Sequence, residues 1–88
     1  SKPLYVDLPD GSSVRLQRGS RLSYAASLAR DAQRVVLLSG EAFFEVKKNP
    51  QRPFLVYANE LVTKVLGTSF TIQAFARDPS VRVSVRTG

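Results

Sequence analysis

The stretch Val35-Val36-Leu37-Leu38-Ser39-Gly40-Glu41-Ala42-Phe43-Phe44-Glu45-Val46 decides the class of this chain. Its first four residues are a continuous apolar run, the pattern expected of a strand covered on both faces. After Gly40 the pattern becomes alternation: Ala42, Phe44 and Val46 share one face, and Glu41, Phe43 and Glu45 the other. A period of two is the signature of β-structure, because successive side chains of a strand point to opposite faces. The stretch therefore reads as a strand, a glycine bend and a second strand.

The same reading extends in both directions. Val6 and Leu8 lead into Pro9-Asp10-Gly11-Ser12, a turn in which Gly11 can take positive φ, and Val14 and Leu16 resume the alternation. Residues 5–16 are thus expected to form a β-hairpin. Further strands are expected at residues 54–57, 61–66, 70–74 and 81–85. Pro50 and Pro53 mark residues 49–53 as a loop, because proline donates no ladder hydrogen bond. Residues 77–80 read as a turn. Residues 23–33 are rich in alanine and leucine but form no single apolar stripe, so they read as an extended connection with one helical turn at most.

Glycines punctuate this pattern at Gly19, Gly40, Gly67 and Gly88, at intervals of 21, 27 and 21 residues. Each has apolar residues two or three positions before it, and the first three also have them after it. A strand–glycine–strand unit repeated in this way predicts an all-β fold: two twisted antiparallel sheets in a short solenoid-like or sandwich-like arrangement. Residues 1–88 make one domain, and their abrupt ends read as a piece of a longer protein.

Composition narrows the function. The chain has 88 residues, with no cysteine, histidine, methionine or tryptophan. Thiolate and imidazole metal sites, and triads built on histidine, are therefore excluded. Stability has to come from apolar packing, for which 43% hydrophobic residues suffice. Thirteen basic against seven acidic residues give a net charge of +6, which favours an acidic partner. No stretch is apolar enough to span a membrane.

The candidate chemistry reduces to structural roles. Glu41 and Glu45 lie four strand positions apart, about 13 Å, beyond the roughly 5–9.5 Å that paired-carboxylate hydrolysis needs. Gly67-Thr68-Ser69 lacks the spacing of a phosphate loop and reads as a bend whose hydroxyls cap nearby backbone groups. No catalytic, cofactor-binding or metal-binding residue is expected. Nucleic-acid binding by a basic β domain is the alternative from another class. Arg15, Arg18 and Arg21 cluster, and Arg82 and Arg86 share a face, but Phe43 has Glu41 and Glu45 beside it, which repel phosphate. Carbohydrate binding by Phe43 and Tyr57 is a third reading.

Five blocks in order carry a resemblance. They are Leu8-Pro9-Asp10-Gly11-Ser12, Gly19-Ser20-Arg21-Leu22-Ser23-Tyr24, Gly40-Glu41-Ala42-Phe43-Phe44-Glu45-Val46, Arg52-Pro53-Phe54-Leu55-Val56 and Val65-Leu66-Gly67-Thr68-Ser69-Phe70. Together they resemble the FecR family over nearly the whole chain. Ala25-Ala26 departs from it, since a proline is expected after Tyr24. The resemblance implies the periplasmic domain of a single-pass inner-membrane regulator of an extracytoplasmic-function sigma factor. Such regulators respond to the signalling domain of an outer-membrane TonB-dependent transducer, often one that imports a ferric siderophore. It also implies a neighbouring periplasmic domain of the same chain as a partner, and a membrane helix outside these residues. On this reading Asp10, Gly11, Gly19, Gly40, Phe44, Gly67 and Phe70 form the structural motif. Val81, Arg82, Val83, Ser84 and Val85 form a candidate partner-binding edge, open also to edge-mediated dimerisation.

Overall fold

The computed structural model describes residues 2–74 and 82–87. The strands are β1 (Leu4–Asp7), β2 (Ser13–Leu16), β3 (Arg21–Tyr24), β4 (Arg34–Glu45), β5 (Phe54–Ala58), β6 (Leu61–Val65), β7 (Ser69–Ala74) and β8 (Arg82–Thr87), with a single 3-10 turn at Ala26–Ala29. The fold is all-β. The hairpin β1–β2 and the loop before β5 lie where the turn residues place them. The expected turn at residues 77–80, and Val81, lie outside the described residues.

The long strand β4 organises everything else. Its first half pairs with β3 and β5, and its second half with β2 and β7. One sheet is therefore β1–β2–β4–β7–β8, and the other is β3–β4–β5–β6. The apolar run at residues 35–38 and the alternating stretch after Gly40 are one strand, not two. Its even positions Val36, Leu38, Ala42 and Phe44 are all buried, so the inward face is unbroken through the glycine. Coverage on both faces is not what residues 35–38 experience: Leu37 points outward and is 54% exposed. A continuous apolar run concealed the alternation.

Gly40 is the hinge. Its φ of +108° is closed to ordinary L-residues, and a Cβ there would collide with the side chain and Cα of Ser20. Ser20 uses that closeness, because its Oγ accepts a hydrogen bond of 2.8 Å from the Glu41 amide. The chain β2–Gly19–β3 thus hugs one edge of β4 around the bend, and β5 and β7 take the other edge.

The bend also explains the one departure from antiparallel sheets. β5 runs parallel to β4, starting with Phe54 beside Arg34. Parallel neighbours normally need a crossover of a dozen or more residues. Here β4 folds back on itself, its end returns near its start, and residues 46–53 suffice as the connection.

The core fills the space between the folded halves. Phe44 stacks on Phe70 at 5.0 Å within one sheet and meets Phe54 of the other edge-on at 6.1 Å. Val14, Leu16 and Ile72 join from the first sheet, and Val36, Leu38 and Val56 from the second. Leu28, on the 3-10 turn, is fully buried in the same cluster.

Two glycine substitutions separate hinge strain from contact. Gly19 has φ +78° with nothing near its missing Cβ. Gly19→Ala is expected to cost about 1–2 kcal/mol, the ordinary penalty for a left-handed residue. Gly40→Ala adds the collision with Ser20 and is expected to cost at least twice as much in urea denaturation.

Candidate functional site

At the end of the molecule opposite Gly40, the two sheets are joined by a buried arginine. Arg34 opens β4 at an inward position, and its side chain is 1% exposed. Its guanidinium has five N–H donors, and five acceptors surround it. Nε donates to the Arg52 carbonyl at 2.7 Å. Nη1 donates to Asp10 Oδ2 at 3.0 Å and to the Lys47 carbonyl at 2.8 Å. Nη2 reaches the Asn49 and Leu66 carbonyls, each at 3.4 Å. The Phe54 ring lies beneath the guanidinium, 5.5 Å from its carbon.

Asp10 supplies the opposite charge from the β1–β2 turn, with a side chain 2% exposed. Its carboxylate accepts from the Ser12 amide at 3.0 Å and the Ser12 hydroxyl at 2.7 Å. Burial alone pushes the Asp10 carboxyl up. The hydrogen bonds from Ser12, and then Arg34, outweigh burial and hold its pKa below the ordinary value. Ser12 Oγ also accepts from the Lys47 amide at 3.0 Å, tying the hairpin turn to the end of β4. Arg52 extends the network, donating to the Leu28 and Asp31 carbonyls at 2.6 and 2.7 Å, which fixes the 3-10 turn.

This constellation is a clasp rather than a reaction centre. The pattern identified Asp10 as a motif residue but passed over Arg34. The available signal was the parity of β4: position 34 is in phase with Val36, Leu38 and Phe44. Gly11 turns the hairpin at φ +92°. Gly67 is required by space, because a Cβ there would strike the Lys48 backbone. Thr68 does not cap as expected; its buried Oγ1 makes no hydrogen bond, and its carbonyl accepts from the Val46 amide. Among the described residues no cluster of acidic side chains could hold a metal ion.

The exposed surfaces are the sheet faces and edges. Across the outer face of the first sheet, Tyr5, Arg15 and Phe43 stand in register. The Arg15 guanidinium carbon lies 5.4 Å from the Phe43 ring centre. Reading within one strand could not reveal this cross-strand pair. On the second sheet, a groove of about 670 Å³ runs between Tyr24, Ala32, Val35 and Leu37. Its lining is mainly apolar, which suits protein contact better than a polar substrate. Arg82, Val83, Ser84 and Val85 lie exposed on β8, which pairs with β7 among the described residues.

Two substitutions test the clasp. Arg34→Met strands a buried carboxylate, and is expected to cost about 3–5 kcal/mol. That is a large share of the roughly 5–10 kcal/mol available to a domain of this size. Adding Asp10→Leu removes the orphan charge but takes the arginine donor from the Lys47 and Arg52 carbonyls, while those of Asn49 and Leu66 keep backbone donors, so urea denaturation should show only partial recovery. Because the folded pKa of Asp10 is lowered, its stabilisation is complete above the ordinary carboxylate value near ~4 and is lost as pH falls through and below it. Asp10→Asn should therefore flatten the acid limb of stability against pH below about pH 5.

The FecR protein family model matches residues 3–88. Two crystal structures, at 2.50 and 1.65 Å, of an anti-sigma factor (provisionally so named) from Parabacteroides distasonis ATCC 8503 superpose with TM-scores of 0.92 and 0.91. Each is 39% identical over 99% of this chain, and the match covers 40% and 41% of the respective relative. The chain thus spans about two fifths of the length of these relatives. No match is found among curated proteins. The matched span takes in the hinge glycine, the clasp and all eight strands, and the chain belongs to the FecR family.

Proposed function

We propose that this chain is the periplasmic signalling and scaffold module of an inner-membrane sigma-factor regulator. It relays a signal from an outer-membrane TonB-dependent transducer to an extracytoplasmic-function sigma factor. The observation that carries this reading is the family match over residues 3–88, supported by the 39% identity to a protein provisionally named an anti-sigma factor. The domain works by contact with other proteins, not by catalysis. Its clasp and hinge hold the sheets rigid, and free strand edges offer backbone groups for strand addition. The candidate edges are the first hairpin and Val81, Arg82, Val83, Ser84 and Val85.

Compartment and role are tested together in the full-length regulator. Alkaline phosphatase fused after residue 88 should be active, which requires export, and β-galactosidase fused there should be inactive. Arg34→Met in the same protein should change transcription from the promoter of the regulated sigma factor. An inactive phosphatase fusion would sink the periplasmic reading, and unchanged transcription with the domain unfolded would sink the relay.

The stacked Arg15–Phe43 pair beside Tyr5 favours a second reading, nucleic-acid binding. Glu41 and Glu45 stand on the same face of β4 and oppose it. A phosphate binder would lose affinity for single-stranded DNA steeply between ~50 and ~200 mM salt. The expected result is no measurable binding at the lower salt.

A further inference from the structure

Among the described residues, three of the four crossings between the two sheets are made at a glycine of the recurring unit; the fourth, from the end of β4 to β5, runs through residues 46–53 without one. β2 belongs to the first sheet and β3 to the second, with Gly19 between them. β4 passes from the second sheet to the first at Gly40. β6 belongs to the second and β7 to the first, with Gly67 between. The connections are short, residues 17–20 and 66–68. β8 lies in the first sheet, and the word Val85-Arg86-Thr87-Gly88 matches the opening half of the unit.

A separate observation concerns the side of the molecule beyond β6 and β8. Val83 and Val85 stand in register with Ile72 and Phe70, both fully buried, yet they are 40% and 60% exposed. Leu61, in register with the buried Ala58, is 53% exposed. Inward-facing apolar residues from the last strand of each sheet are thus left uncovered. Their burial would contribute at about 25 cal/mol per Å².

We propose that the segment of the polypeptide following Gly88 crosses back to the second sheet and adds as a strand antiparallel to β6. Its inward apolar residues close over Leu61, Val83 and Val85. The second sheet has two edges, β3 and β6, and β8 lies on the β6 side of β4, so a short connection reaches only β6. Direction follows from register. β6 ends with Val65 beside Phe54 and Arg34, at the clasp end. Thr87 ends β8 in the row of Ser69 and Glu45, at the same end. A strand entering the second sheet from there runs opposite to β6. The match covers 40% of the solved relative's chain, so that relative extends beyond the matched part.

The test compares the 88-residue chain with the polypeptide extended through about the next twenty encoded residues, by amide hydrogen exchange. Exchange across residues 61–65 should slow at least about tenfold in the longer polypeptide, and the extension should itself be protected. Unchanged exchange in β6, including protection confined to β8, or a coding sequence that stops at Gly88, would overturn the proposal. Leu61→Asp provides an independent check, since Leu61 is half exposed in the shorter chain. Its melting temperature should barely move there and should fall by roughly 4–8 °C in the extended polypeptide. Equal shifts in both would contradict the proposal.

Discussion

The Arg34 guanidinium is the constraint on which the rest of this fold depends. A strand bent at a glycine does not by itself keep its two halves together. The ends opposite the bend must be tied, and they converge on one buried cation. Its five acceptors come from three separate segments: the β1–β2 turn, the β4–β5 connection at three positions, and the β6–β7 link. Buried ion pairs can often be replaced by apolar residues at little cost. Replacement is costlier here, because four of the five acceptors are backbone carbonyls that no side-chain substitution removes, and those of Lys47 and Arg52 would lose the arginine as donor. Lysine is no substitute either, since its three donors on a flexible stem cannot match a planar fork.

Hinge and clasp act on the same core from opposite ends. Gly40 lets β4 change sheets without turning its inward face outward, so Phe44 can stack on Phe70 within one sheet and meet Phe54 of the other. The recurring glycines therefore have distinct physical duties. Gly40 is required by its backbone conformation and the nearness of Ser20, whereas Gly67 is required by the approach of the Lys48 backbone. Neither duty is a solenoid repeat in the strict sense. What recurs is the act of passing from one sheet to the other.

Much of this was legible in the residues. Strict alternation located the strands, and Pro9-Asp10-Gly11-Ser12 located the first turn. The word around Gly40 located the bend, because alternation and glycine conformation are local properties. The fusion of two strands into β4, the parallel β4–β5 pair and the clasp were not legible, because each depends on where the bend delivers residues distant in sequence. Arg34 and Asp10 are 24 residues apart, and nothing local to either names the other. The cross-strand contact of Arg15 with Phe43 escaped for the same reason. The family resemblance carried the functional reading, since the strand pattern by itself names no partner.

The proposed signalling role asks for a stiff domain that presents sheet edges at fixed positions. The clasp supplies that stiffness, and hydrogen exchange in an Arg34→Lys variant tests it most directly. Lysine keeps the charge but loses the fork. The account predicts that amides near Ser12, Lys47, Asn49 and Leu66 will exchange faster together, while those flanking Gly40 keep their protection relative to the rest. Uniform acceleration across the whole domain, or no change at those four positions, would contradict it.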